Sequence, residues 1–448
     1  MADFDLSVDV LILGAGGGGL TAALAAHEAG AEVLVLEADP IPSGSTALSA
    51  GLIPAAGTAQ QAAAGITDSP QSFATDIMAK ADGEPDQALV NALTGAAAPT
   101  IAWLGDVFSE PLTVVDDFDY PGHSARRMHG LPSRTGQSLI DALRAACESR
   151  DIPIICERRG AEVIADSAIR GLIAELPDGG VERIGCRALI LACGGFGGAP
   201  DLVARHTPAA ATGTYFGHPT NRGEALAFAD ALNLKTAALS AYQGHGNVAH
   251  PHGILITWAT ITEGGIQVNA NGERFWNEAQ GYSEAAAAVL AQPGGIAFTI
   301  FDEPIAAIAR QFEDFRNAEA AGAIKTAATV NDLATQFGLP TEALNAALAV
   351  PPGSPDQFGR TIKRHLKPPY CGVKVTGALF HTQGGLAVDA VGQAIRDDGT
   401  PMPGLYAVGG AAVGVSGNGD SGYLSGNGLL SAVVLGKLAG AAAAEHTK

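Results

Sequence analysis

At 448 residues the chain is too long for one simple core, and a formal net charge of −20 with a pI near 4.8 argues against a surface that neutralises nucleic-acid phosphates or docks on anionic lipid. Hydrophobic residues at 47% and charged residues at 16% describe a well-buried protein, for which two domains are expected. An anionic small molecule stays open as a substrate, because a pocket can be locally basic. The five cysteines (Cys147, Cys156, Cys186, Cys193 and Cys371) show no CxxC, haem or iron–sulfur spacing, so reduced thiols in a cytoplasmic protein are expected. No secretory leader is read in the acidic first residues. The apolar tail over residues 429–444 is interrupted by Lys437 and Gly440, and reads as too short to span a bilayer.

In chain order, residues 8–13 read as a buried parallel strand and residues 20–26 as a close-packed helix. Between them Gly14, Gly16 and Gly19 form Gly-x-Gly-x-x-Gly. The first permits a tight turn, the second lets a pyrophosphate approach the backbone, and the third lets helix and strand pack closely. The phosphates then meet the free N–H groups of the helix N-terminus. A second strand over residues 32–36 ends in Glu37, followed by Ala38, and the Glu37 carboxylate suits ribose hydroxyls. Ser45, Thr46, Ser49 and Gly51 come next, small and hydroxyl residues able to wrap a second phosphate or the edge of a flat ring. Residues 70–104 read as helical.

The turn-rich residues 117–123 carry Tyr120 and His123 and lead to Arg126, Arg127, His129 and Arg134, where clustered arginines read as a solvated face or an anion site. A helix over residues 137–149 follows. Residues 160–176 and 181–192 read as a β-meander that includes Val163 and ends in Ala192 and the glycine turn of Cys193, Gly194 and Gly195. Gly223 and Glu224 open a further helix. Two strand-to-glycine turns on one sheet suit a long, bent cofactor such as FAD better than NAD alone. From residue 244 the pattern changes to mixed helices and strands. Nucleotide-fold character resumes near residue 380, with Gly409 and Gly410 after a strand, and Asn427, Gly428 and Leu429 opening the last helix. The expected architecture is α/β: a discontinuous Rossmann-like FAD-binding domain (residues 1–243 and 380–448) with an inserted α+β capping domain (residues 244–379). No metal site is expected from His245, His250, His252 and His381, since no cysteine or carboxylate completes one.

The order of GAGGGG, Glu37, GSTALSAG, ACGG, NRGEAL and the C-terminal GLYAVGG and GNGLLSAVVLGKLAG runs resembles the fumarate reductase/succinate dehydrogenase flavoprotein superfamily, which includes the 3-ketosteroid Δ1-dehydrogenases. The resemblance covers nearly the whole chain and implies bound FAD, with hydride transfer between flavin N5 and a substrate carbon. It implies FAD contacts from Gly14, Gly16, Gly19, Glu37, Ala38, Ser45, Thr46, Ser49, Gly51, Val163, Ala192, Gly194, Gly223, Glu224, Gly409, Gly410, Asn427 and Leu429. The covalent subgroup has a histidine in the loop after Glu37, where this chain has Ser45 and Thr46, so noncovalent FAD is expected. His245 and His381 match fumarate reductase motifs and imply substrate contacts at the domain junction. The Arg–Glu–Arg proton relay of those reductases is missing, however. Trp258, Ile261 and Tyr282 stand in its places, and Tyr423 replaces the arginine that grips a substrate carboxylate. Arginine is always charged, whereas tyrosine, with a free pKa of about 10, is neutral near pH 7.

The same departures resemble the ketosteroid dehydrogenases. Carried over, Tyr282 is the base for the α-proton, Tyr120 its hydroxyl partner, and Tyr423 the donor to the ketone oxygen beside the Gly428 backbone. The implied reaction is α,β-desaturation of a cyclic ketone, of oxo-cyclohexane or 3-ketosteroid type. Tyr282 takes the α-proton, the β-carbon gives hydride to flavin N5, and O₂, a quinone or a dye takes the electrons. One alternative is an ene-reductase of the fumarate or urocanate type, with His245, His381 and Arg126, Arg127 or Arg134 gripping a carboxylate. The other is a non-catalytic flavin-binding subunit that carries electrons. Neither nucleic acid nor a membrane is an expected partner.

Overall fold

The first apolar run becomes β1 (Leu6–Leu13), in which Val10, Leu11, Ile12 and Leu13 are all buried, as a central parallel strand requires. It turns into α1 (Gly17–Glu28) and continues to β2 (Val33–Leu36), whose residues pair in parallel with β1 from Val10–Val33 to Leu13–Leu36. The structure is a computed structural model and describes residues 4–116 and 119–448, so Asp117 and Phe118 of the turn-rich segment lie outside the described residues. On the other side of β1 lies β3 (Val181–Leu191), again parallel, with Leu13 opposite Leu191. Ile169–Glu175 pairs antiparallel with β3, and Arg159–Ala165 pairs antiparallel with Ile169–Glu175, which is the meander read from the sequence. The strand Pro401–Ala407 pairs in parallel with β3, and Gln393–Ile395 pairs antiparallel on its other side. Residues from both ends of the chain therefore share one mixed α/β layer.

The chain divides into two units. The first comprises Met1–His206, Gly217–Tyr242 and His381–Lys448, and the second Thr207–Phe216 and Gln243–Phe380. The inclusion of Thr207–Phe216 in the second unit corrects the sequence reading, which left those residues in the first. The reason is strand pairing: Thr214 and Tyr215 lie parallel to Ala378 and Leu379. In the second unit Ile296–Asp302 runs antiparallel to Tyr370–Thr382, with Ile324–Ala327 paired on the latter's other edge. Its core is built on Phe301, Phe315, Val373 and Val375, with a second cluster around Val268, Ile300, Leu333 and Leu344.

Within the first unit the helical stretch near residues 70–104 is two helices. Pro70–Lys80 is capped by Ser69 and starts with proline, and Gln87–Phe108 is capped by Asp86. The positive φ of Asp82 and Gly83 breaks the run between them. The last helix, Asn427–His446, spans 20 residues and corrects the expectation from its sequence, being long and apolar enough to cross a membrane by length and composition alone. Here two-thirds of its apolar window is buried within the protein. A Cβ at Gly436 would lie 2.6 Å from the Gly18 carbonyl, and one at Gly440 would lie 2.2 Å from that of Ala22, so this helix rests directly on the backbone of α1.

The three fingerprint glycines separate cleanly. Gly14 has φ +110°, and a Cβ on Gly19 would fall 1.8 Å from the Gly14 carbonyl oxygen. A Cβ on Gly16 would meet no protein atom within 4 Å. In the flavin-free protein, Gly19→Ala is therefore expected to cost at least about 1–3 kcal/mol through overpacking. Gly16→Ala is expected to stay within about 0.5 kcal/mol of wild type. Thermal unfolding of both variants checks this, and equal melting points would contradict the packing account.

Candidate functional site

A glycine with no internal reason to be one marks the centre of the nucleotide turn. The space beside Gly16 is open, at the point where α1 presents its first N–H groups. One of these, on Gly17, is already taken by Thr46 Oγ1 at 3.1 Å, which ties the Ser/Thr loop to the helix start. Ser45 accepts from Asn221 Nδ2 at 2.8 Å, and Ser49 Oγ donates to the Thr46 carbonyl at 2.7 Å. Gly51 is confined by the Thr135 carbonyl, 2.5 Å from its notional Cβ. Glu37 is buried at the end of β2. Its two oxygens accept backbone N–H bonds from Ala15 (2.7 Å) and Asp39 (2.9 Å). Burial raises its carboxyl above the ordinary range, and those two hydrogen bonds oppose the rise. Each oxygen retains acceptor capacity for a hydroxyl.

Among the described residues of the first unit, the buried Glu224 Oε2, Asn427 Oδ1 and Ser431 Oγ have no hydrogen-bond partner in the protein. Buried polar atoms are nearly always paired, so they point to a bound group. The other Glu224 oxygen is held by Arg159 at 2.5 Å. Ser431 escaped the sequence reading because it lies in a π-turn, Leu430–Val434, which composition does not reveal. Gly16, Glu37 and these atoms fit a dinucleotide, and FAD would be held by them together with the Ser45–Thr46 loop. Ala38, Ala192, Gly194, Gly223, Gly409, Gly410 and Leu429 lie in this unit at or beside its strand ends and helix starts, and Val163 lies inside the strand Arg159–Ala165. A Cβ on Gly194 would sit 2.1 Å from Asn221 Oδ1, which links this turn to the Ser45 loop.

A second group forms at the start of the last helix. Tyr423 is buried, and its ring meets His381 edge-on with centroids 5.5 Å apart. Both face Gly428, where a Cβ would lie 3.0 Å from His381 Nε2 and 3.7 Å from the Tyr423 hydroxyl. Burial pushes the Tyr423 phenol up to about 12, against backbone hydrogen bonds at Gly428 and Gly426. His381 is half-buried as a residue, yet its imidazole is desolvated and is lowered to about 4. Both groups are neutral near pH 7. Gln383, Ser416 and Asn427 stand behind His381, and no motif reading had singled out the first two.

The second unit carries Tyr282 and His245 in an aromatic stack. His245 stacks on Tyr282 at 5.0 Å and 15°, stacks on Phe380 at 5.4 Å and meets Trp258 edge-on at 5.7 Å. The Asn247 N–H donates to His245 Nδ1 at 3.2 Å, which leaves the proton on Nε2. Burial lowers this imidazole to about 3. Ile261 is buried in the Trp258–Trp276 cluster, so two relay positions of the reductase motif are apolar packing here. Glu278 anchors the loop that leads to Tyr282. It is ion-paired with Arg274 and with Arg360 (3.1 Å), and it accepts the Gln267 N–H at 2.9 Å.

Two further sequence candidates, Tyr120 and Arg127, lie in and just after the turn-rich segment of the first unit. Tyr120 packs beside Leu52, Val115 and Met128 in the first unit. Arg127 corrects the expectation of substrate binding. Its guanidinium spends its five N–H donors on Asp68 (2.9 and 3.0 Å), Asp76 (2.6 Å), His123 (3.3 Å) and Ser124 (3.2 Å), over the Phe73 ring. A side chain so saturated is an architectural anchor. Arg126 pairs with Asp119 at 2.7 Å.

The family described as FAD binding domain matches residues 9–429. A fumarate reductase (cytochrome) of Shewanella frigidimarina is 29% identical over 99% of this chain and 78% of that protein. The 4-oxocyclohexanecarboxylate 2-dehydrogenase of Sinomonas cyclohexanicum is 26% identical over 90% of this chain and 87% of that protein. Among solved structures, the 3-ketosteroid-Δ4-(5α)-dehydrogenase of Rhodococcus jostii RHA1 superposes with a TM-score of 0.80 at 25% identity, covering 99% of this chain and 98% of that one.

Two outcomes are expected from this geometry. Gly16→Val fills the open space beside α1, so purified protein should lose its flavin absorbance while keeping its far-UV circular dichroism; full flavin content would show that the turn has been misread. The second outcome concerns acid. Burial holds His123, His129 and His381 at about 4 and His245 at about 3 in the folded chain. The unfolded chain protonates its histidines near about 6.5. Between these values the unfolded state binds more protons, so stability is full above pH 6.5 and falls as pH drops toward 4. The urea midpoint should decline steadily from pH 7 to pH 5, and a flat midpoint would contradict the assignment.

Proposed function

Because the chain belongs to the FAD binding domain family, we propose that it is an oxidoreductase that desaturates a cyclic ketone between its α- and β-carbons. When bound, FAD supplies the two-electron acceptor for hydride. The observation that carries the reading is the pairing of two neutral hydrogen-bonding groups, Tyr423 and His381, at Gly428 on the N-terminus of the last helix. A ketone oxygen gains negative charge as its α-proton leaves, and a neutral phenol and the helix N-terminus stabilise that charge as it develops. A phenol held near 12 stays protonated and acts as donor, not base. The base role is assigned to Tyr282, whose aromatic surroundings of Trp258, Trp276 and His245 suit a carbocycle better than a dianion. Noncovalent FAD and a small-molecule electron acceptor such as O₂ or a quinone belong to the same reading.

A second reading, reduction of an unsaturated acid, is favoured by one observation: fumarate reductases share slightly more identity with this chain than the oxocyclohexane dehydrogenase does. Against it stand the neutral state of His245 and His381 and the saturation of Arg127, which leave these three unable to meet carboxylate charge with charge.

Rapid mixing separates the two. Under anaerobic conditions a cyclic ketone should bleach the oxidised flavin, whereas fumarate should not reoxidise the pre-reduced protein. Tyr282→Phe keeps the ring and its stacking and should slow flavin reduction by about 10²–10⁴-fold, with ketone affinity within a few-fold. Tyr423→Phe should weaken binding as well, with a rate loss of about 10²–10³-fold. A Tyr282→Phe protein that bleaches at the wild-type rate would end this mechanism.

A further inference from the structure

We infer that Gln383 is a positioning residue that locks His381 as the Nε2–H tautomer, so that His381 serves the site as a second fixed hydrogen-bond donor beside Tyr423. A backbone carbonyl can only accept. Asn427 Nδ2 lies 3.4 Å from the Val415 carbonyl oxygen and 3.1 Å from Ser416 Oγ, so the amide of Asn427 donates to both. Ser416 Oγ, having accepted that bond, gives its one proton to Gln383 Oε1 at 2.9 Å. The carbonyl end of Gln383 is thereby fixed toward Ser416, and its NH₂ faces His381 Nδ1 at 2.8 Å. An imidazole nitrogen that accepts carries no proton, so the ring proton sits on Nε2. Nε2 is the atom that faces Gly428.

One contact opposes this. The Thr382 carbonyl lies 3.5 Å from His381 Nδ1 and would favour a proton there. At that distance the bond is marginal, whereas an Nδ1–H would point into an N–H of Gln383 only 2.8 Å away. The shorter contact decides. The three residues behind His381 are buried: Gln383 and Ser416 are 5% and 1% exposed, and Asn427 is fully buried. The groups facing His381 are Gln383, the Thr382 carbonyl, the Tyr423 ring and the Gly428 backbone; of these only Tyr423 titrates. The role of donor to a ketone oxygen rests on the proposed function, but the tautomer does not.

Nitrogen-15 NMR of the FAD-bound full chain with ring-labelled histidine tests the tautomer directly, His381 being assigned by comparison with His381→Gln. The expected result at pH 7 is a bare Nδ1 and a protonated Nε2; a protonated Nδ1 overturns the inference whatever the substrate. Gln383→Met, which keeps the length and removes the donor, should give a mixed tautomer and slow ketone-driven flavin reduction on the order of 10²-fold. Gln383→Glu should place a carboxylate on Nδ1, move the proton there, and bring a His381 titration into the range of about pH 6–8, where the wild type has none. Unchanged ring shifts in both variants also overturn it. If no ketone bleaches the flavin while the wild-type ring shows Nε2–H, the ketone reading fails and the tautomer assignment stands.

Discussion

The first unit depends on one backbone-to-backbone packing. The last helix lies on α1 so closely that Gly436 and Gly440 have carbonyl oxygens of Gly18 and Ala22 where side chains would be. Such contact needs small residues on both helices, and both have them. It brings residues more than four hundred positions apart in sequence together against the central strands of the sheet. The same packing sets the N-terminus of the last helix, with Asn427 and Gly428, in the unit that also carries the Gly-x-Gly-x-x-Gly turn. A bulky residue at either glycine would separate the two helices, and Gly428 would move with them.

Burial, more than charge, decides what the polar groups can do. His245, His381 and Tyr423 are ionisable residues held neutral by desolvation, so what each can offer a neighbour is a hydrogen bond of fixed direction and not a charge. Direction then becomes the property to control. The Asn247 N–H controls it for His245, and the Asn427–Ser416–Gln383 chain for His381. Each chain ends on a backbone group, which cannot change its donor or acceptor character. Two buried clusters of charge, by contrast, are architectural. Arg127 with Asp68 and Asp76, and Glu278 with Arg274 and Arg360, hold loops in place, because a charge removed from water needs its partners close at hand.

Much of this protein was legible along the chain. The alternation of apolar runs and glycine turns specified a parallel nucleotide-binding sheet, since such strands must be apolar on both faces and such turns must lack side chains. Glu37, Gly16 and Asn427 could be named from motifs, and the structure gives each a local setting that fits a dinucleotide. What the sequence could not decide was the state of each polar side chain. Arg127 reads identically as an anion binder or as a buried anchor until Asp68 and Asp76, some fifty to sixty positions away, are seen to take its donors. Thr207–Phe216 reads as part of the first domain until Thr214 and Tyr215 find Ala378 and Leu379. The sequence alone also offers no hint that Gln383 faces Nδ1 of His381, or that Ser431 lies orphaned in a π-turn. Strand pattern and turn chemistry are local properties, written in neighbouring residues. Protonation, donor direction and saturation depend on which distant groups share a low-dielectric space, and only the tertiary fold brings those groups together.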